Sequence, residues 1–150
     1  MNRSTEMNVF STTPTHRQLA IGLLILRLAL GAVFIVHGGQ KLFVMGMSAS
    51  AGMLADMGVP LASLVGPLLA IVEPLAGVAI VLGLLTRLGS FAVAADMLGA
   101  ILLFHSKHGF FVPMGIEFPM MLCAGALTLV ALGAGPLSLD HGIDQRRRTR

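Results

Sequence analysis

The chain has 150 residues, of which 55% are hydrophobic and only 11% are charged, and its formal net charge is +3. Soluble domains carry about 45–50% apolar and about 25% charged residues, so this composition excludes an ordinary water-soluble domain. The sequence also lacks a phosphate-binding glycine loop, a zinc-ligand spacing and a Ser/His/Asp signature, which leaves nucleotide or hydrolytic chemistry without support. The single cysteine, Cys123, excludes an internal disulfide, and we interpret it as a buried apolar side chain.

Four long apolar runs follow a polar lead at residues 1–18, which we expect to be disordered. The runs cover residues 19–37, 61–85, 88–105 and 119–135. A helix rises 1.5 Å per residue, so each run approaches the length that crosses a hydrocarbon core of about 30 Å. Only helices satisfy the backbone of such open-ended spans in lipid. The sequence therefore predicts an all-α fold, a four-transmembrane-helix bundle over residues 19–140, and a basic tail at 141–150.

The distribution of lysine and arginine predicts that both termini lie inside the cell. With that orientation the inner side carries seven basic residues, namely Arg3, Arg17, Arg87, Arg146, Arg147, Arg148 and Arg150. The outer side carries only Lys41 and Lys107, as the positive-inside rule requires. The arginine tail suits contact with anionic lipid headgroups better than with nucleic acid, because no soluble domain accompanies it.

The loop after the first apolar run, residues 38–60, is the one long connection on the outer side. Ser48 is suited to the N-cap of a short helix, and Gly58 with Pro60 is suited to its end. We expect an interfacial helix that lies along the outer surface.

Three ionisable residues are predicted at mid-depth, on the first three helices: Arg27, Glu73 and Asp96. Charges inside a membrane are costly and face one another rather than lipid. One interpretation is a structural Arg27–Glu73 salt bridge that fixes helix register and leaves Asp96 neutral or responsible for a proton. The other is a proton relay or the polar end of a ligand pocket. The sequence leaves both open.

A second polar set is predicted at the outer ends of the helices. It comprises His37, Gln40, Lys41, His105, Lys107, His108 and Glu117. The histidines suit hydrogen bonds to helix ends, or a site for a quinone headgroup or another small polar ligand. Ligation of a haem by His37 and His105 is a weaker alternative, since no attachment motif accompanies them. The outer methionines admit Cu(I) binding, but they more often fill apolar gaps. We expect no metal site.

Several short motifs, in order along the chain, resemble the DoxX family of small bacterial and archaeal membrane proteins. They are Arg27-Leu28-Ala29-Leu30-Gly31, Phe34, His37-Gly38, Lys41-Leu42-Phe43, Gly58-Val59-Pro60, Glu73 with Gly77, Gly83-Leu84-Leu85-Thr86-Arg87, Met97 with Ala100, His105, Glu117-Phe118, and Gly133-Ala134-Gly135-Pro136-Leu137-Ser138-Leu139-Asp140. The resemblance implies a four-helix protein of the bacterial cytoplasmic membrane. It also implies an association with quinone-linked redox or oxidative-stress complexes. Asp96 and Pro74 lie outside that pattern.

Three hypotheses about function follow. The first is an accessory subunit of a quinone-linked redox complex that has no cofactor of its own beyond a bound quinone. Its partners would be other membrane redox subunits or further copies of the chain. Its ligand-binding residues would be Arg27 and Glu73, with Asp96 beside them and His37, Lys41, His105 and Glu117 at the outer mouth. The second is a small-molecule or proton-coupled carrier that uses the buried charges, and the third is a scaffold without chemistry.

Overall fold

The structure, a computed structural model, describes residues 13–149, and within that range every regular element is helical. The elements are α1 (His16–Gly39), a π-helical segment (Gln40–Met45), α2 (Met47–Asp56), α3 (Ala62–Leu82), α4 (Thr86–Leu103), a 3₁₀ turn (His105–His108), α5 (Glu117–Leu132) and α6 (Leu139–Arg148). The predicted all-α class is confirmed. Most of the predicted lead, residues 1–12, lies outside the described residues, and α6 adds a helix within the region predicted as a basic tail.

Three helical segments are long and apolar enough to cross a membrane. They are His16–Met45, in which the π-helical segment continues α1, together with Ala62–Leu82 and Thr86–Leu103. The fourth predicted span corresponds to α5, an apolar helix of 16 residues. A helix that crosses upright needs about 20 residues, so α5 is shorter than the other three.

The bundle is apolar both inside and outside. Its core packs side chains from α1, α3, α4 and α5, namely Leu23, Leu30, Phe34, Ala76, Ile80, Val93, Ala94, Ala126 and Leu129. Large side chains such as Leu64 at 65% exposure and Leu75 at 64% point away from that core. An apolar exterior this extensive is costly in water and is the surface that lipid tails solvate.

Glycines allow α1 and α3 to cross in close contact. A Cβ at Gly31 would lie 2.7 Å from the carbonyl oxygen of Gly77, and a Cβ at Gly77 would lie 2.8 Å from that of Gly31. Small residues at these positions let the two helices come together. At Gly22 and Gly99, in contrast, a Cβ would meet nothing within 4 Å.

The short helix in the outer loop forms close to where it was predicted. It covers Met47–Asp56 and packs against α3, where a Cβ at Gly66 would lie 2.6 Å from Cα of Ala51. Ser48 is not its N-cap, contrary to the prediction. The chain turns instead at Gly46, whose φ of 82° suits glycine, and the helix begins at the next residue.

Candidate functional site

Arg27 is bound by backbone carbonyls, and the predicted salt bridge to Glu73 is wrong. Its Nε donates to Ile80 O at 2.8 Å and its Nη2 to Val81 O at 2.7 Å. Its Nη1 donates to Ala134 O at 3.0 Å and to Leu137 O at 2.7 Å. The side chain is 1% exposed, so these carbonyls replace water for four of its five N–H donors.

The partner of Arg27 is the C-terminal end of α3. The last carbonyls of a helix have no intrahelical donor and carry the negative end of the helix dipole, so a cation there is stabilised. Gly83 ends the helix with a φ of 66°, and a Cβ on it would lie 2.5 Å from Nη2 of Arg27. Arg27 therefore closes this end of α3 from a neighbouring helix.

Asp140 completes the same end of the bundle. Its carboxylate accepts the N–H of Leu85 at 2.8 Å and that of Thr86 at 2.9 Å, at the start of α4. Its own N–H donates to Gly83 O at 2.8 Å. We call Arg27, Gly83 and Asp140 the arginine cluster. It joins α1, the α3–α4 turn and the first turn of α6, and it brings together motifs that are more than 100 residues apart in sequence.

Arg27 and Glu73 do not pair because α1 and α3 are offset along the bundle. The π-helical segment extends α1 to Met45, which moves Arg27 away from the middle of its span. Gly38, not Arg27, lies beside Glu73, since a Cβ on Gly38 would be 2.9 Å from Cβ of Glu73. Eleven residues at 1.5 Å each separate the two levels by about 16 Å.

The partner of Glu73 is Lys41. Its Nζ forms a short ion pair with Glu73 Oε1. Lys41 stands on the π-helical segment, about one turn beyond Gly38, and its side chain is 19% exposed while that of Glu73 is 4% exposed. Lys41 was predicted at the outer mouth of the site, and the structure directs it inward to the deeper carboxylate.

Asp96 lies against the other side of Glu73. Both side chains carry carboxyl groups, and the two groups are close neighbours in the bundle. Glu73 Oε2 and Asp96 Oδ2 are buried and have no hydrogen-bond partner among residues 13–149. Orphaned buried oxygens are costly for folding and call for another explanation. We call Lys41, Glu73 and Asp96 the carboxyl cluster.

A cavity of about 250 Å³ opens beside the carboxyl cluster, and we call it the polar cavity. Its wall is formed by Val33, Phe34, His37, Lys41, Glu73, Met97, Ala100, His105, Pro113, Phe118, Pro119 and Leu122. His37 and His105 thus reach one site, as the sequence suggested. His105 Nδ1 lies 2.6 Å from Met114 O; since a carbonyl only accepts, Nδ1 carries the proton and Nε2 of the neutral ring is left as an acceptor.

A second cavity of about 330 Å³ lies on the other side, between α2, α3 and α4, and we call it the apolar cavity. Its wall is formed by Leu54, Met57, Val59, Val65, Leu69, Ala92, Ala95, Asp96, Gly99, Ala100, Leu103, Phe104 and His105. Ala100 and His105 belong to both cavities, so the two adjoin.

The remaining outer polar residues lie outside the polar cavity. Glu117 accepts the N–H of Val112 at 2.6 Å and so holds the loop before α5, which gives it a structural role. His108 Nδ1 lies 3.0 Å from Phe104 O, the helix-end bond that the sequence allowed for. Gln40 and Lys107 do not line either cavity.

Within residues 13–149 no three His, Cys, Asp or Glu side chains are grouped in a way that could hold a metal ion. Cys123 is buried, as expected, with its Sγ 3.7 Å from Ala94 O. Of the outer methionines, Met57 lines the apolar cavity as a gap-filling side chain.

These features define the class. An all-helical chain with an apolar exterior, three long apolar helices and buried charges in contact with one another is an integral membrane protein. The DoxX family profile matches residues 22–106, more than half of the chain. The chain belongs to the DoxX family, which confirms the resemblance.

Two relatives agree with this assignment. The chain is 32% identical over 126 residues to "Putative oxidoreductase CatD" of Bacillus subtilis (strain 168). The alignment covers 83% of this chain and 89% of that protein. It is 29% identical over 142 residues to "Uncharacterized membrane protein Rv3486" of Mycobacterium tuberculosis (strain ATCC 25618 / H37Rv). That alignment covers 87% of this chain and 86% of that protein. No solved structure matches the chain.

Proposed function

We propose that the protein is an accessory subunit of a quinone-linked redox complex and binds a quinone headgroup in the polar cavity. In this proposal four helices cross the bacterial cytoplasmic membrane, α5 being the short one, and both termini lie inside. The seven-to-two distribution of basic residues supports that orientation. The arginine cluster then lies toward the inner side, and the polar cavity lies toward the outer side.

One observation carries the proposal: the polar cavity brings hydrogen-bond donors and a buried carboxyl group with an unpartnered oxygen together with apolar side chains. A quinone accepts hydrogen bonds through its two carbonyl oxygens, and its reduced form donates through two hydroxyls. Lys41 supplies N–H donors, and Glu73 Oε2 and His105 Nε2 supply acceptors. Phe34 and Phe118 supply flat apolar surface for a ring.

The buried oxygens fit such a ligand. Glu73 Oε2 has no hydrogen-bond donor among residues 13–149, and a ligand hydroxyl in the polar cavity would supply one. A bound quinone supplies the electron chemistry. The residues of this chain would orient the quinone and keep water out of the polar cavity. They would also exchange a proton at the Glu73 carboxyl, with Asp96 as the second carboxyl group nearby. The name of the Bacillus subtilis relative, an oxidoreductase, is consistent with this chemistry.

The test is binding of quinone to the full-length protein in mild detergent. Purified protein is extracted and chromatographed for bound quinone, then titrated with a quinone that has no tail. We expect saturable binding that Glu73→Gln weakens at least tenfold. Glu117→Gln is the matched control, because it alters a carboxylate near the same end that does not line the cavity. No bound quinone and no saturable titration in the unaltered protein would contradict the proposal, as would equal affinities in the two variants.

A second candidate is a proton-coupled carrier, favoured by the carboxyl cluster standing between two cavities. Glu73 lines one cavity and Asp96 the other. In proteoliposomes with an internal pH dye, a carrier predicts substrate-driven proton movement that Asp96→Asn abolishes. A quinone-binding subunit predicts no such movement when it is reconstituted alone.

A further inference from the structure

We infer that the two cavities form one binding site for an amphipathic ligand, with the ring in the polar cavity and a long apolar chain in the apolar cavity. This inference rests on the proposed function. It makes that function more specific, because it names the ligand class as a quinone that carries a prenyl-type chain. It also gives a role to the apolar cavity, which binding of the headgroup alone does not use.

The first argument is adjacency. Ala100 and His105 line both cavities, so the two cavities adjoin at these residues. His105 is held at its Nδ1 by Met114 O, on the turn that follows α4. A chain that leaves a ring in the polar cavity therefore reaches the apolar cavity by passing these two side chains.

The second argument is chemical contrast. The polar cavity presents an ammonium, a carboxylate and two imidazoles. The wall of the apolar cavity is hydrocarbon and thioether apart from Asp96, which lies near Glu73, and His105, whose Nδ1 bonds to Met114 O. A saturated or prenyl chain matches such a wall, and a free polar molecule does not.

The third argument is access. Ala95 and Leu103 on the wall of the apolar cavity are exposed at the apolar exterior of the bundle. α2 lies over its other side through Leu54 and, just past the end of the helix, Met57. A lipid-soluble ligand would enter from the hydrocarbon phase and place its chain under α2 as its ring reaches Lys41.

Gly99 allows this to be tested cleanly. It lies on the wall of the apolar cavity, and a Cβ there would meet nothing within 4 Å, so Gly99→Leu fills the cavity without a clash at Cβ. Gly22→Leu is the matched control. It also adds a leucine to open space on a long apolar helix, at an exposed position that lines neither cavity.

The experiment measures affinities of the full-length protein, in one detergent, for a tail-less quinone and for the same headgroup with a prenyl chain. Partitioning into micelles is common to all variants and cancels between them. We expect Gly99→Leu to weaken binding of the prenylated ligand at least tenfold and to leave the tail-less ligand unchanged. Gly22→Leu should change neither.

Other outcomes separate the two proposals. If the unaltered protein binds no tail-less quinone, the proposed function fails. If it binds the tail-less quinone and Gly99→Leu affects neither ligand, or both equally, the function stands and the two-cavity site is wrong. Loss of a retained phospholipid in Gly99→Leu, with the quinone affinities unchanged, would assign the apolar cavity to a lipid acyl chain and also overturn this inference.

Discussion

α1 and its extension carry two cations, the buried Arg27 and the partly buried Lys41, and the two have opposite surroundings. Among residues 13–149, Arg27 hydrogen-bonds four carbonyl oxygens and no carboxylate. Lys41, fourteen residues later, pairs with Glu73, which lies near Asp96, and within the same described range two buried oxygens of this group have no donor. Backbone carbonyls satisfy nearly all the N–H donors of Arg27, as expected of a residue that holds helices together. Unmet polar atoms beside a cavity weaken the fold, so a ligand or proton is the better explanation for them.

The largest expected effect is on the arginine cluster, through Arg27→Met. The change removes the side-chain donor of four carbonyls in an apolar setting, of which Ile80 O keeps the N–H of Gly83, and each buried acceptor left unsatisfied costs about 1–3 kcal/mol. We expect a strongly reduced yield of monodisperse protein and a lower unfolding midpoint in the same detergent. Arg87→Met is the control at the same end, since Arg87 is exposed and makes one long bond of 3.3 Å to Ala131 O. Equal midpoints for the two variants would refute the structural role of Arg27.

The second prediction concerns which charges are coupled. Lys41→Met and Glu73→Gln, made singly and together, should show a coupling energy of about 0.5–3 kcal/mol because the side chains touch. The milder Arg27→Lys combined with Glu73→Gln should be additive to within about 0.5 kcal/mol, because the two levels lie well apart. Denaturant unfolding of the six proteins measures both cycles. Strong coupling between Arg27 and Glu73, with none between Lys41 and Glu73, would contradict the Lys41–Glu73 pairing.

The sequence was sufficient for the helices and for the identity of the charged residues. Apolar runs and the positions of glycine and proline located α2, α3 and α4 to within a few residues, because lipid permits few backbone arrangements. The charge pairing was not predictable in this way. It depends on the offset between α1 and α3, which the extension of α1 to Met45 and the contact of Gly38 with Pro74 determine.

The sequence contained one indication of the arginine cluster, but it did not show which residues meet in space. The motifs around Gly83 and Asp140 were recognised as part of the family pattern, far from Arg27 along the chain. Sequence spacing does not reveal that a backbone carbonyl, rather than a carboxylate, is the partner of a buried arginine. Asp96, which lies outside the pattern, was expected to face the other buried charges, and the structure places it near Glu73 and Lys41.

The third prediction uses the turn that Arg27 closes. Gly83→Ala forces a side chain onto a residue with φ 66° and sets a Cβ 2.5 Å from Nη2 of Arg27. Strain at such a position costs about 1–3 kcal/mol. Gly142→Ala, in α6 with open space around it, is the control and should be neutral or slightly stabilising. Chemical unfolding in detergent measures both, and an unfolding midpoint for Gly83→Ala at or above that of Gly142→Ala would contradict the close packing.

The smallest effect is expected at Asp140, which lies in the arginine cluster but does not bond Arg27. Asp140→Asn keeps one side-chain oxygen for the N–H of Leu85 or Thr86 but loses the second acceptor and the negative charge at the start of α4. A lost cap of this kind costs about 0.5–1 kcal/mol. Asp144→Asn is the control, because Asp144 forms only an exposed ion pair with Arg148, a kind of contact that contributes little.

Hydrogen exchange gives this last comparison a local measurement. In Asp140→Asn the amides of Leu85 and Thr86 should exchange faster, since they lose a charged acceptor, while amides around Glu73 should be unchanged. In Asp144→Asn neither region should change. Faster exchange near Glu73 in Asp140→Asn would mean that the two charged groups of this bundle are coupled through α3, and the division between a structural end and a ligand-binding end would then be wrong.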